Sequence, residues 1–139
     1  EVISNTENMY LNITQLAPII ASQLLTASPG VYIFGGEPTV NLPDNPGSGG
    51  RNQSLALLLA QQIKDRDDIT ILVAGTDGSD GPTDAAGAII DGNSANDIRA
   101  LEQALLTADA GSYLRNTGDI FITGPTNTNV MDLVIAIIK

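Results

Sequence analysis

The sequence contains no cysteine and no histidine, and these two absences narrow its chemistry more than any residue present widens it. Without cysteine there are no disulfides and no thiolate chemistry. Without histidine the commonest general base and metal ligand is missing, so a Ser–His or Cys–His nucleophile pair cannot be assembled from this chain. Any catalysis must draw on carboxylates, hydroxyls, amides, arginine or lysine. Tryptophan is absent and aromatics make up 4% of residues, so the 42% hydrophobic content has to build an aliphatic core. Cations are scarce too: six Lys and Arg stand against sixteen Asp and Glu, a net charge of −10. That balance argues against nucleic acid, whose phosphates need a basic surface, and against an anionic membrane. It suits a soluble cytoplasmic protein.

Long apolar runs are also lacking. Residues 55–60, LALLLA, are far too short to span a bilayer. No basic segment precedes an apolar stretch in the manner of a signal peptide. Asn12-Ile13-Thr14 and Asn52-Gln53-Ser54 match the glycosylation sequon, with nothing else to suggest secretion. At 139 residues the length fits one domain. The chain begins at Glu1 without a methionine, which raises the expectation of a piece of something longer.

What is present is a regular interleaving of short apolar segments. Met9, Ile13, Leu16, Ile20 and Leu24 recur at helical spacing, predicting a helix over 6–27 with a kink or a start at Pro18. Residues 31–34 read as a strand, Thr39–Leu42 as a second, and 42–50 as a loop. The clearest helix runs from Gly50 to about Ile63, with Leu55, Leu58, Leu59 and Ile63 on one face. A solvated turn at 64–68 leads to a strand at Ile69–Val73. Ala88–Ile90 reads as a further short strand. Ser94 and Asp97 resemble a capping box opening a helix that turns Ile98, Leu101 and Leu105 inward. Ile120–Ile122 and Leu133–Ile138 complete the strands. The class is α/β: one compact domain with a mixed β-sheet of short strands and helices packed on it.

Four polar loops carry the candidate chemistry. In GGEPT (35–39) two glycines permit a tight turn beside Glu37, which reads as a hairpin or bulge with an exposed carboxylate. GSGGRNQ (47–53) opens the leucine helix. Consecutive N–H groups of this glycine-rich loop, feeding a helix N-terminus, make an anion cradle, and Arg51 in the first turn opposes the helix dipole unless an anion lies nearby. The alternative is a flexible glycine turn with Arg51 paired to one of the many acids. TDGSDGPTDAAGA (76–88) concentrates Asp77, Asp80 and Asp84 after an apolar strand. Their spacing does not fit an EF-hand, but carboxylates beyond a strand's carboxyl end can hold Mg²⁺ or accept a hydroxyl proton. The bland reading is an Asp/Gly turn capping its own backbone. TGPTNTNVMD (123–132) offers Thr126, Asn129 and neighbouring hydroxyls and amides. Together the loops supply an anion clamp, carboxylates and neutral donors, an inventory suited to a small hydroxylated anion.

GGEPTV, GSGGRNQSLALLLA, AGTDGSDGPTDAAGAIIDG and GDIFITGPTNTNVMDL, in that order, resemble the MOFRL domain, the C-terminal domain of type II glycerate 2-kinases. Some members of that family also carry the name hydroxypyruvate reductase. The motifs run from about residue 30 to 138, so residues 1–139 read as a MOFRL-like domain. The resemblance implies Mg²⁺-dependent transfer of the γ-phosphoryl group of ATP to D-glycerate. It implies a cleft shared with a Rossmann-like N-terminal domain that is absent here, and little turnover by this chain alone. On the matching positions it implies Arg51, Asp77 and Asp80 as catalytic, with Asp77 and Asp80 the metal ligands. Glu37, Gly49, Gly50, Asn52, Thr76, Asp84, Thr126 and Asn129 would contact substrate. A stand-alone module binding small anionic metabolites or Mg²⁺ is one alternative. A reductase is another, though no G-x-G-x-x-G stands between a strand and a helix. Three departures from the family pattern stand out: Pro38 for a usual Thr, Asn127 for a usual Gly, and Ala-Asp-Ala-Gly-Ser-Tyr at 108–113 for a usual Asn-Asp-Ser-Tyr stretch.

Overall fold

Alternation with a period of two marks the longer strands, and a period of 3.6 the first three helices; the described residues form ten elements. The computed structural model describes residues 2–139. The elements in order are β1 (Val2–Glu7), α1 (Ile13–Leu25), β2 (Gly30–Gly36), α2 (Arg51–Gln62), β3 (Ile69–Gly75), β4 (Gly87–Asp91), α3 (Ile98–Leu106), α4 (Ala110–Thr117), β5 (Ile120–Phe121) and β6 (Asp132–Ile138). The strands form one mixed sheet in the order β1-β2-β6-β3-β4-β5. β1 and β2 are parallel; β6 is antiparallel to β2 and β3, and β4 to β3 and β5. Hence β2, β3 and β5 end at the same edge where β4 and β6 begin. This edge collects the polar loops.

One face of the sheet is sealed. Phe34, Val134, Ile71 and Ile90 belong to a single buried cluster with α1 and α2 residues such as Ile20, Leu24, Leu55 and Leu59. The alternate residues face the other way: Ile33, Ile135, Leu72 and Ile89 pair in one row across four strands, with Ile89 42% exposed. α2 packs on β3 and β4 and against the other three helices. Its leucines are therefore buried on nearly every side, a pattern expected of a central helix rather than a surface one.

The sequence expectations fail at four places. Residues 6–27 are not one helix. Residues 2–7 pair in parallel with the distant β2, while the Asn12 side chain accepts from Thr14 N and starts α1 there. Met9 keeps the helical spacing but is buried in the link between them. α1 continues through Pro18, which is exposed. Thr39–Leu42 is not a strand; only Thr39 bridges, to Asn12. The α3 cap is Asp97 alone, accepting from Ala100 N at 3.0 Å, whereas the Ser94 hydroxyl accepts from Asp91 N. Finally α4 carries too few apolar residues to show a period and went unseen. Of the two sequons, Asn12 is used as a cap and Asn52 is buried. Among the described residues no helix is long and apolar enough to cross a membrane.

Candidate functional site: an acidic cleft at the mouth of the central helix

The site begins with a helix that cannot cap itself. Gly50 stands at the N-cap of α2 in an extended conformation and has no side chain to offer. Asp80, 30 positions downstream, supplies one instead. Its Oδ1 accepts from Asn52 N at 3.0 Å, and its Oδ2 accepts from Gln53 N at 2.8 Å and Gln53 Nε2 at 2.9 Å. Thr83 Oγ1 accepts from the same Gln53 amide and donates to the Asp80 carbonyl. A carboxylate against the positive helix end is the favourable arrangement. Asp80 is 3% exposed. Burial pushes its carboxyl pKa upward; the Asn52 and Gln53 bonds pull it back without reversing the shift, and the nearby charge of Asp132 adds to the rise.

Glycines let the two loops meet. A Cβ on Gly50 would overlap the Asp80 side chain, and one on Gly81 would lie 2.6 Å from the Gly49 carbonyl. Gly81 also has φ +62°, where other residues are strained. The acidic loop and the glycine-rich loop are thus packed backbone against backbone.

Arg51, the first residue of α2, is held from across the cleft. Its Nε donates to Asp132 Oδ2 at 2.6 Å, and Nη1 reaches Glu37 Oε1 at 3.4 Å. Burial pulls the guanidinium pKa down, but the bond and charge of Asp132, then those of Glu37, outweigh it, and the net shift is upward. The anion that Arg51 needs beside a helix N-terminus is therefore a carboxylate of its own chain. Asp132 opens β6 and is 3% exposed. Sequence reasoning passed over it, although a lone acid at the head of the apolar run MDLVIAII was the signal that a cation must reach it.

The two remaining loops are stitched together by their hydroxyls. Thr76 donates to the Met131 carbonyl and accepts from Val130 N; Thr126 donates to the Thr76 carbonyl. Asp77 Oδ1 accepts from Ser79 N at 2.9 Å, and Asn129 Oδ1 accepts from Met131 N at 3.1 Å. Asp84 turns away to Arg115 of α4, 2.6 Å distant.

Between these loops lies a cleft of about 510 Å³. Of the predicted residues, Glu37, Gly49, Gly50, Arg51, Asn52, Asp77, Asp80 and Asn129 line it. Thr76, Thr126 and Asp84 do not: the first two are structural staples and the third is an exposed ion-pair member. Asp132 and Ser79 line it in their place, and Val40, Leu42 and Met131 add apolar surface. Its charge is lopsided, with Glu37, Asp77, Asp80 and Asp132 set against one guanidinium. The backbone N–H groups of Gly49 and Gly50 have no partner among the described residues. No group of three or more carboxylates among them is arranged to hold a metal.

These loops coincide with a known family pattern: the model of the MOFRL family matches residues 30–132. The chain belongs to the MOFRL family. It is 46% identical over 114 residues to a D-glycerate 2-kinase of Thermotoga maritima, a match covering 79% of this chain and 27% of that protein. It is 42% identical over 114 residues to a glycerate 2-kinase of Pyrococcus horikoshii, covering 79% and 26%. The crystal structure of a glycerate kinase from Thermotoga maritima superposes with a TM-score of 0.88 at 38% identity, over 100% of this chain and 36% of that one. This chain spans about a quarter of the length of the curated relatives it matches.

The departures from the MOFRL pattern have local explanations. Asn127, in place of glycine, adopts φ 60°, a region that asparagine enters more readily than most residues. Pro38 is buried, where a missing N–H leaves no donor to satisfy. The segment 108–113 forms the start of α4, and its polar groups bind the fold rather than the cleft. Asp109 Oδ1 accepts from both Ser48 N and Ser112 Oγ, Gly111 N donates to the Ser48 carbonyl, and the Tyr113 hydroxyl donates to the Ser94 carbonyl. α4 thereby anchors the glycine-rich loop.

Proposed function

We propose that this chain is the C-terminal, MOFRL part of a glycerate 2-kinase-like enzyme. In this reading it contributes one wall of the cleft in which ATP phosphorylates D-glycerate. The observation that carries the reading is the meeting of all the family motifs on one cleft whose single cation, Arg51, stands at the mouth of a glycine-rich helix start. Phosphoryl transfer asks a protein mainly for positioning and charge compensation, and neither cysteine nor histidine is required for it. The Arg51 guanidinium and the unpaired N–H groups of Gly49 and Gly50 bind the glycerate carboxylate or a phosphate. Asn129 orients a substrate oxygen, and Asp77, which lines the cleft, accepts a hydroxyl proton. Glu37 and Asp132 fix the guanidinium.

The residues fit Mg²⁺ in part. Asp80 has both oxygens engaged by α2, which leaves Asp77 as the carboxylate to approach an ion that otherwise rests on phosphate and water. When bound, Mg²⁺ would neutralise phosphate charge. Four carboxylates against one cation make this wall repellent to two anionic substrates. The missing positive charge has to come from the larger part that the relatives possess, and the chain alone should fold without turnover. The reductase name that some relatives carry finds little support here, because 14 intervening residues separate β2 from α2 and the glycine loop does not join a strand directly to a helix.

Backbone amide NMR of this chain during titration with D-glycerate, ATP and Mg²⁺ tests the reading. Shifts confined to Glu37, Gly49–Asn52, Asp77–Gly81 and Asn129 are expected. Saturable shifts elsewhere with none in the cleft, or glycerate phosphorylation by the chain alone, would overturn it.

A further inference from the structure

Asp80 lines the cleft and belongs to the most acidic loop, so its natural reading is as a ligand. Its surroundings argue otherwise. Each carboxylate oxygen accepts from the first turn of α2, three bonds in all, and the Gln53 amide that gives one of them is completely buried. Thr83 braces the arrangement by accepting from that amide and donating to the Asp80 carbonyl. Gly50 and Gly81 have no side chains, and any Cβ there would collide with the opposing loop. An anion is thus built into the helix N-terminus, and the loop that carries it is locked onto the residue preceding Arg51.

We propose that Asp80 is a positioning residue: it docks the acidic loop onto the start of α2 and so holds the Arg51 guanidinium against Asp132, and it binds neither metal nor substrate. This rests on the reading of the cleft as a kinase half-site and refines it. The internal carboxylate occupies the N–H groups of Asn52 and Gln53, so an incoming anion meets only Arg51 and the N–H groups of Gly49 and Gly50. The helix end sets geometry, and the guanidinium does the binding. The charged group acting on Asp80 from another element is Asp132, with Asp77 three residues away on the same loop.

The test uses NMR of this chain without substrate, so its failure is distinct from failure of the glycerate reading. In Asp80→Asn the amide resonances of Asn52 and Gln53 should move upfield as their charge-assisted bonds are lost, and the Arg51 Nε–H resonance should shift with them. Gln53→Leu keeps the carboxylate but removes one of its donors. It should displace the same Arg51 resonance in the same direction by less, and it carries the test if Asp80→Asn does not fold. Mg²⁺ added to the wild-type chain should leave the Asn52 and Gln53 amide shifts in place while those of Asp77 and Gly78 move. Saturable Mg²⁺-induced shifts at Asn52 and Gln53 that vanish in Asp80→Asn would make Asp80 a metal ligand and overturn the proposal. An Arg51 resonance unmoved in both variants would overturn it equally.

Discussion

Arg51 Nε lies 2.6 Å from Asp132 Oδ2, joining the first residue of α2 to the first residue of β6 across 81 positions of sequence. The carboxylate is almost fully buried and the guanidinium about one third exposed. The pair therefore has a mixed role: it neutralises a buried acid on one side and presents a cation to the cleft on the other.

Replacing Arg51 with Met should expose that double role. The variant leaves Asp132 buried without its cation and should lose about 1–3 kcal/mol of stability, below the range of a fully buried pair because one partner is partly solvated. Combining it with Asp132→Asn should restore part of the loss. Urea unfolding of the four proteins in a double-mutant cycle measures the coupling. The double variant should still fail to bind glycerate.

Asp80 should give stability a specific dependence on pH. Its folded-state pKa is raised above the ordinary value of about 3.9, chiefly by burial. Between that ordinary value and the raised one, the folded chain holds a proton that the unfolded chain has released. The stability contributed by this group is therefore complete at low pH and falls as pH rises through the window. Asp68, with its pKa lowered by the bond from Arg66, contributes in the opposite sense at more acidic pH. The difference in unfolding free energy between wild type and Asp80→Asn should decline with rising pH inside the Asp80 window and be flat above it.

Gly81→Ala tests the interlock of the loops. The residue has φ +62° and its new Cβ would sit 2.6 Å from the Gly49 carbonyl. Destabilisation beyond about 1 kcal/mol is expected, because the conformation and the space are both wrong. Amide exchange at Asn52 and Gln53 should rise in parallel. A thermal melt with hydrogen exchange checks both.

Tyr113→Phe is the control away from the cleft. The Tyr113 hydroxyl donates to the Ser94 carbonyl at 3.0 Å in a buried position. Removing it should cost about 0.5–1.5 kcal/mol and leave the glycerate-induced amide shifts unchanged.

Much of the fold is legible in the sequence, and the reasons are local. The α2 leucines and the apolar runs of β3 and β6 carry their period in adjacent residues, and the glycine and aspartate loops mark their own boundaries. What escapes depends on distant partners. Residues 2–7 pair as a strand with the distant β2, and the start of α4 is tied through Asp109 and Gly111 to the loop at Ser48. The cleft was legible as a set of loops but not as a set of roles. Asp80, Asp77 and Asp84 are alike in sequence, yet one caps a helix, one faces the cleft and one pairs with Arg115. No spacing rule separates them, since the difference lies in which way each loop residue turns after the sheet has formed.

The position of β6 between β2 and β3 has a consequence for how the protein is made. Its residues are the last of the ten elements to leave the ribosome, yet they are the central seam of the sheet. Until they arrive, β1-β2 and β3-β4-β5 are two unjoined pieces, each with an open hydrogen-bonding border, and Arg51 has no Asp132 to meet. Such non-local pairing is slow and leaves unpaired edges exposed meanwhile. The Arg51–Asp132 contact can form only after β6 has taken its place between β2 and β3, so it reports closure of the sheet.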